Sequence, residues 1–199
     1  MRTKENLVNP ASDYYLYQPS TIASRLYLYP KEIGYFYYEP GYWRSRIQYN
    51  SFLLMYIAKG TCQVLLPNQQ LQNAAAGQVV LIDCYVPHEY GFDSNSEVAW
   101  IHFDGPLARD FYDLIFASHG NIISPSNPFP ITNGLDQMLH VFRNSKPLKE
   151  GEASEMITQM LNTLLYTRAY SGNTTSHFKV VEKSRAYINE HFSEPLTLD

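Results

Sequence analysis

Two periods divide the chain. Up to Gly105 apolar and polar positions recur mainly at the two-residue period of strands, and from Pro106 onward they recur at helical spacing. Residues 1–20 are polar, carry Pro10 and Pro19, and read as an extended arm. Arg25-Leu26-Tyr27-Leu28-Tyr29 alternates as a strand does, Pro30 stops it, and Gly34 opens a second run, Tyr35-Phe36-Tyr37-Tyr38. Pro40-Gly41 is a turn signal, and beyond it Arg44 and Arg46 stand two apart, so an extended backbone points them the same way. Phe52 to Ala58 is apolar on both faces, which predicts a central strand, and Lys59-Gly60 predicts a tight hairpin into Thr61 to Leu66. Gly77 to Gly105 reads as two strands joined by a polar loop. The first runs from Val79-Val80-Leu81-Ile82 to His88 and Tyr90; the second puts Val98, Trp100 and His102 on one face and Glu97, Ala99, Ile101 and Phe103 on the other.

The helical half begins at Pro106, a residue suited to a first helical position, with Leu107, Phe111, Leu114 and Ile115 following until Gly120. Ile122 to Pro130 holds three prolines and reads as loop. Leu135, Met138, Leu139 and Phe142 mark a second helix; Met156, Ile157, Met160, Leu161, Leu164 and Leu165 mark a third, with Gly172 beyond it. The stripe on that third helix suits core packing or a helix-to-helix dimer contact, and Met156, Met160, Leu161, Leu164 and Leu165 are its candidate dimer residues. A linker-like Ser171 to Ser176 precedes a last amphipathic segment, Val180 to Phe192. One helix cannot bury its own apolar stripe, and the chain ends at Asp199, so the expectation is a domain cut short. Strands first and helices later define an α+β plan, a β-barrel with a helical appendix. The expected organisation is an arm at 1–20, a barrel at 21–105, helices at 106–172, a linker at 173–177 and the start of another domain at 178–199.

Composition narrows the partners. Of 199 residues 45% are hydrophobic, enough for a core, and the net charge of −4 argues against these residues gripping DNA by themselves. Tyrosine is unusually abundant, at 17, which suits sheet packing, an interface or a ring-stacking pocket. Cys62 and Cys84 lack metal-ribbon spacing and a secretory leader, and no apolar run reaches membrane-span length; two reduced thiols in a cytoplasmic protein are expected.

Candidate chemistry concentrates in the second half of the strand region. His88 and His102 are the plausible inward metal ligands, but Tyr90 stands where a His-x-His pair would need its second histidine, and two ligands do not make a site. No metal or other cofactor is expected, and no nucleophile motif is present. Trp100 is either core filler or the stacking floor of a pocket. Arg44 and Arg46 either line a solvated edge or clamp a carboxylate or a set of sugar hydroxyls through their planar forks.

Arg46 with Tyr56-Ile57-Ala58-Lys59-Gly60, Gly77 to Ile82, Pro87-His88-Glu89-Tyr90 and Trp100 to Gly105 together resemble the sensor domain of AraC-type bacterial transcriptional regulators. Ser184 to Leu198 is similar to the opening helix of that family's DNA-binding domain. The resemblance implies a cupin-like jelly-roll barrel that binds a small effector, often a sugar, followed by helices that dimerise, with DNA contacted only through a C-terminal domain. It implies that Trp100 stacks on the ligand, that Tyr90 contacts it, and that Arg44 or Arg46 reaches it, with His88 and His102 as further pocket groups. The histidine that the family's arabinose sensor carries two residues before its tryptophan is Val98 here, while His102 stands two after, and the acidic residue expected after Gly77 is Gln78; these departures point away from arabinose. The rival reading from the residues is a metal-dependent cupin enzyme acting on a sugar or small acid.

Overall fold

The computed structural model describes Thr3 and residues 5–167; the linker and final helix expected at 173–199 lie outside the described residues. Ten strands form two antiparallel sheets. Six belong to the larger sheet: β1 (Asp13–Leu16), β2 (Tyr29–Tyr38), β4 (Phe52–Lys59), β7 (Val79–Asp83), β9 (Ser96–Asp104) and β10 (Ile122–Ile123), in the order β1-β2-β9-β4-β7-β10. The smaller sheet holds β3 (Tyr42–Arg46), β5 (Thr61–Leu65), β6 (Gln72–Ala75) and β8 (His88–Phe92), in the order β3-β8-β5-β6. A four-residue helix, α1 (Ala23–Leu26), precedes β2, and α2 (Ala108–His119), α3 (Phe129–Arg143) and α4 (Glu150–Leu165) follow the strands.

From β2 to β9 the chain crosses between sheets at most of its turns, and this decides the architecture. Lys59-Gly60 is therefore a corner and no hairpin: β4 pairs with β7 and β9, whereas β5 pairs with β6 and β8. Gly60 has φ +83°, and a Cβ there would lie 2.1 Å from Ser96 Oγ, so both the backbone conformation and the space require glycine. The single strand expected from Val79 to Tyr90 is likewise two, β7 and β8, one in each sheet. The sheets face each other without a hydrogen-bonded closure between them among the described residues, so the expected barrel is a two-sheet sandwich.

β4, β7 and β9 are apolar on both faces because both faces are covered. Leu53, Met55, Ile57, Val98 and Trp100 point between the sheets, where they meet Cys62, Val64, Tyr90 and Phe92. Phe52, Leu54, Val79, Leu81, Ile101 and Phe103 point the other way and pack under the helices against Ile115, Leu135, Met138, Ile157 and Leu161. The large sheet thus separates two cores, and the one between the sheets contains a polar cavity.

Several local expectations give way to packing. Arg25 to Leu28 is not a strand: the Ser20 hydroxyl accepts from Ala23 N–H (3.0 Å), starting the helical turn α1 with Ala23 as its one buried residue. Pro30 does not stop β2, since it lies at a register shift and beyond the end of β1, where no strand needs its missing N–H. Helix α2 starts at Ala108, and its buried face is Ala108, Tyr112 and Ile115, leaving Leu107 and Leu114 exposed. Ile122 and Ile123 pair with β7, and Pro130 lies in the first turn of α3.

The stripe on α4 is core. Met160, Leu161 and Leu164 are 0% exposed within their own chain, and Met156 and Leu165 pack partly buried against the same cluster. Met160, Leu161 and Leu164 therefore have no surface to offer a second copy, whereas Met156 and Leu165 keep part of theirs. The outer face of α4 is polar, with Glu155, Gln159 and Thr163.

Candidate functional site

The period of two aims three side chains of β3 at the space between the sheets: Tyr42, Arg44 and Arg46. Opposite Arg44 on β8 is Tyr90, and opposite Arg46 is His88. From the large sheet come Trp100 and His102 on β9, Leu53 and Met55 on β4, and Glu32, Phe36 and Tyr38 on β2. Thr3, Glu5, Tyr14 and Leu16 close the remaining side, and together these residues enclose a cavity of about 300 Å³.

Trp100 fits because Gly34 faces it across the β2–β9 pair. A Cβ on Gly34 would stand 2.6 Å from the indole Cζ2 and 2.9 Å from the Asp13 carbonyl oxygen. The edges of the indole meet Phe36 (5.1 Å between centroids, 87°) and His102 (5.7 Å, 75°). Trp100 is 6% exposed, yet its Nε1–H has no acceptor in the protein.

Two other donors at the cavity share that state. Arg44 Nε and Arg46 Nη1 are buried without protein acceptors. The Arg44 fork is otherwise engaged by the Glu5 carboxylate, which also accepts from the Tyr42 hydroxyl at 2.7 Å. Arg46 lies over the Tyr49 ring, 4.5 Å from its centroid, and Tyr49 donates its hydroxyl to Glu32. An unpaired buried donor costs about 1–3 kcal/mol, and more when charged, and all three belong to residues that line the cavity.

His102 supplies the opposite character. Burial, reinforced by the charge of Arg46, holds its pKa well below the usual histidine range, so the ring is neutral near pH 7. The Ser51 hydroxyl donates to the Tyr49 carbonyl (3.2 Å) and so accepts from His102 Nδ1 (2.9 Å), leaving Nε2 as the ring's acceptor. Burial also pushes the Tyr90 hydroxyl up to about 12, so it stays protonated.

Of the six residues expected at a binding site, five line this cavity: Trp100, Tyr90, His102, Arg44 and Arg46. His88 does not; it lies beside the site, Nδ1 against the Val86 carbonyl oxygen (2.8 Å) and Nε2 without a protein partner. Among the described residues no three His, Cys, Asp or Glu side chains gather as a metal site would require. Cys62 and Cys84 are free and buried, and burial pushes both thiols up to about 12, which leaves them unreactive. Glu32, Gly34 and Phe36, and likewise Tyr42, were legible as the same-face neighbours of Tyr38 and Arg44 at a period of two. Glu5 had no such signal. It lies in the polar arm, 39 residues from the arginine it pairs with.

A two-sheet sandwich with helices packed outside and a polar cavity inside is the fold of a small-molecule-binding domain of the cupin type. The AraC-like ligand binding domain matches residues 29–162, and the chain belongs to that family. No curated protein sequence matches the chain. Among solved structures, similarity is partial. A cupin superfamily protein from Desulfitobacterium hafniense is 14% identical with a TM-score of 0.36, over 51% of this chain and 82% of that one. A cupin 2 conserved barrel domain protein from Leptotrichia buccalis is 16% identical at 0.38, over 52% and 43%. A mutant oxalate decarboxylase from Bacillus subtilis is 16% identical at 0.34, over 42% of this chain and 23% of the enzyme. Among the described residues no helix is long and apolar enough to cross a membrane.

Proposed function

We propose that the chain is the effector-sensing part of a cytoplasmic AraC-type transcriptional regulator. Its effector is a small polar molecule of the carbohydrate class, bound between the sheets against Trp100. The single observation that carries this reading is the convergence of the polar side chains Arg44, Arg46, Tyr90 and His102 with the Trp100 ring on one cavity. Hydroxyl and carboxyl oxygens of a hydroxylated ligand would satisfy them, while the indole face covers its C–H edges.

The N-terminal segment is the element through which binding would act, because it touches both the cavity and the helices. Glu5 and Tyr14 line the cavity. Asp13 receives two hydrogen bonds from Arg143 of α3 (2.7 and 2.9 Å), and Ser20 donates to Glu150 of α4 through its N–H (2.7 Å) and its hydroxyl (2.6 Å). A ligand that shifts Glu5 or Tyr14 would bias the docking of this segment on α3 and α4. In this proposal the output is control of a helix-turn-helix DNA-binding domain, whose first helix residues 178–199 resemble, and pairing with a second copy uses the exposed Leu107 and Leu114 of α2. Thermal shift against a panel of sugars and sugar derivatives tests the reading. A ligand at a hundred times its Kd adds about 2.7 kcal/mol, a rise of about 5–10 °C for a chain this size. No shift from any member of the panel, or one that survives Trp100→Ala, would refute it. A chelator-sensitive stoichiometric metal in the purified protein would favour a cupin enzyme instead.

A further inference from the structure

Resting on that reading of the cavity, we propose that the effector is a small carboxylic acid whose carboxylate displaces Glu5 from Arg44. The cavity holds two guanidinium groups from one strand, both facing inward at a spacing of two. Arg44 has a carboxylate partner in Glu5, whereas Arg46 forms no ion pair among the described residues and rests on the Tyr49 ring. Of the cavity's two carboxylates, Glu32 accepts the Tyr49 hydroxyl, which leaves Glu5 as the one that neutralises an arginine.

Glu5 sits where it can be exchanged. The backbone downstream of it is pinned to the large sheet: Glu39 N–H donates to the Leu7 carbonyl (2.8 Å), Asn9 N–H donates to the Tyr37 carbonyl (2.9 Å), and Val8 bridges to Tyr38. Glu5 lies just outside that anchor and is held at the cavity by Arg44 and the Tyr42 hydroxyl through its side chain. It already presents to Arg44 the group that an acidic ligand would bring.

Charge decides which ligands can make the exchange. A neutral sugar that displaced Glu5 would leave the partly buried Arg44 cation with hydroxyl dipoles and no counter-charge. A carboxylate restores the pair, and Arg46 is a second guanidinium group on the lining of the same cavity. The ligand's body would lie on Trp100, with Phe36 and Met55 beside it. A sugar acid matches this combination of ring and carboxylate, and an aromatic acid is the rival that the titration separates from it. The exchange would free Glu5, which couples ligand charge to the N-terminal segment.

The test is isothermal titration of the full chain and of Glu5→Gln with D-galacturonate, D-galactose, benzoate and benzyl alcohol. The expected result is binding by an acid and not by its neutral counterpart, with galacturonate against benzoate identifying the ring. Glu5→Gln, which keeps the shape and removes the competing charge, should bind that acid about tenfold tighter, and Arg46→Met about tenfold or more weaker. Hydrogen exchange at the Val8 amide, which donates to the Glu5 carbonyl, should speed up when the acid binds. A neutral probe binding as tightly as its acid, no gain in Glu5→Gln, or slower exchange at Val8 would overturn the proposal. If only D-galactose binds, and does so through Trp100, the sensing site stands and this proposal falls; if no probe binds either protein, both fall.

Discussion

Gly34 decides more about the site than its neighbours do. It is the one position on β2 where a side chain would collide with the Trp100 ring and the β1 backbone at once. Gly34→Ala should cost about 1–3 kcal/mol through overpacking, and should red-shift the tryptophan emission as the indole is pushed from its site; thermal melts and fluorescence measure both. His102 has an effect of opposite origin. Its folded pKa lies far below the value of about 6.5 expected in the unfolded chain, so on acidification the unfolded state takes up a proton that the folded state refuses. Stability should therefore fall as pH drops below about 6.5, and His102→Gln should flatten that fall. His88 contributes with the same sign, since burial lowers its pKa too. Denaturant titrations at a series of pH values separate the two. Trp100, Tyr90, His102, Arg44 and Arg46 were legible as neighbours on one lining because a strand's period fixes which side chains share a face. The same rule places His88 on the face of Tyr90, but it lies beside the cavity and not on its lining.

At the scale of elements, the helices carry the clearest reassignment. The apolar stripe of α4 looked wide enough for a second use, yet α2, α3 and the outer face of the large sheet consume it. Leu161→Ala should destabilise the domain by about 2–5 kcal/mol, because it opens a cavity in that layer. Sedimentation of the variant under conditions where it stays folded should show the wild-type oligomeric state, as a core residue predicts and a dimer contact does not. The helices are held to the strands by polar ties at specific points. Arg109 of α2 pairs with Asp83 at the end of β7 (2.6 Å) and lies over the Phe52 ring, 4.7 Å from its centroid. Sequence periodicity located α3 and α4 because their buried positions repeat at helical spacing. It failed at α1, where a five-residue alternation straddles the end of the helical turn and the start of β2.

For the whole molecule, the placement of the cavity matters most. It lies in the core between the sheets, away from the helical layer, and the N-terminal segment touches both. In the proposed sensing role the N-terminal segment is the route between the two, whereas β4, β7 and β9, buried on both faces, offer little freedom to move. The sequence by itself determined the class of fold, the extent of the strand and helical halves, the inert cysteines and the face shared by Trp100 and His102. All of these follow from local periodicity and composition. Only the tertiary structure decided that Gly60 is a corner between sheets, that most of the α4 stripe is core, and that Glu5 pairs with Arg44 at the cavity. Each depends on which surfaces meet across dozens of residues, and a pairing such as Glu5 with Arg44 leaves no mark on the pattern around either residue.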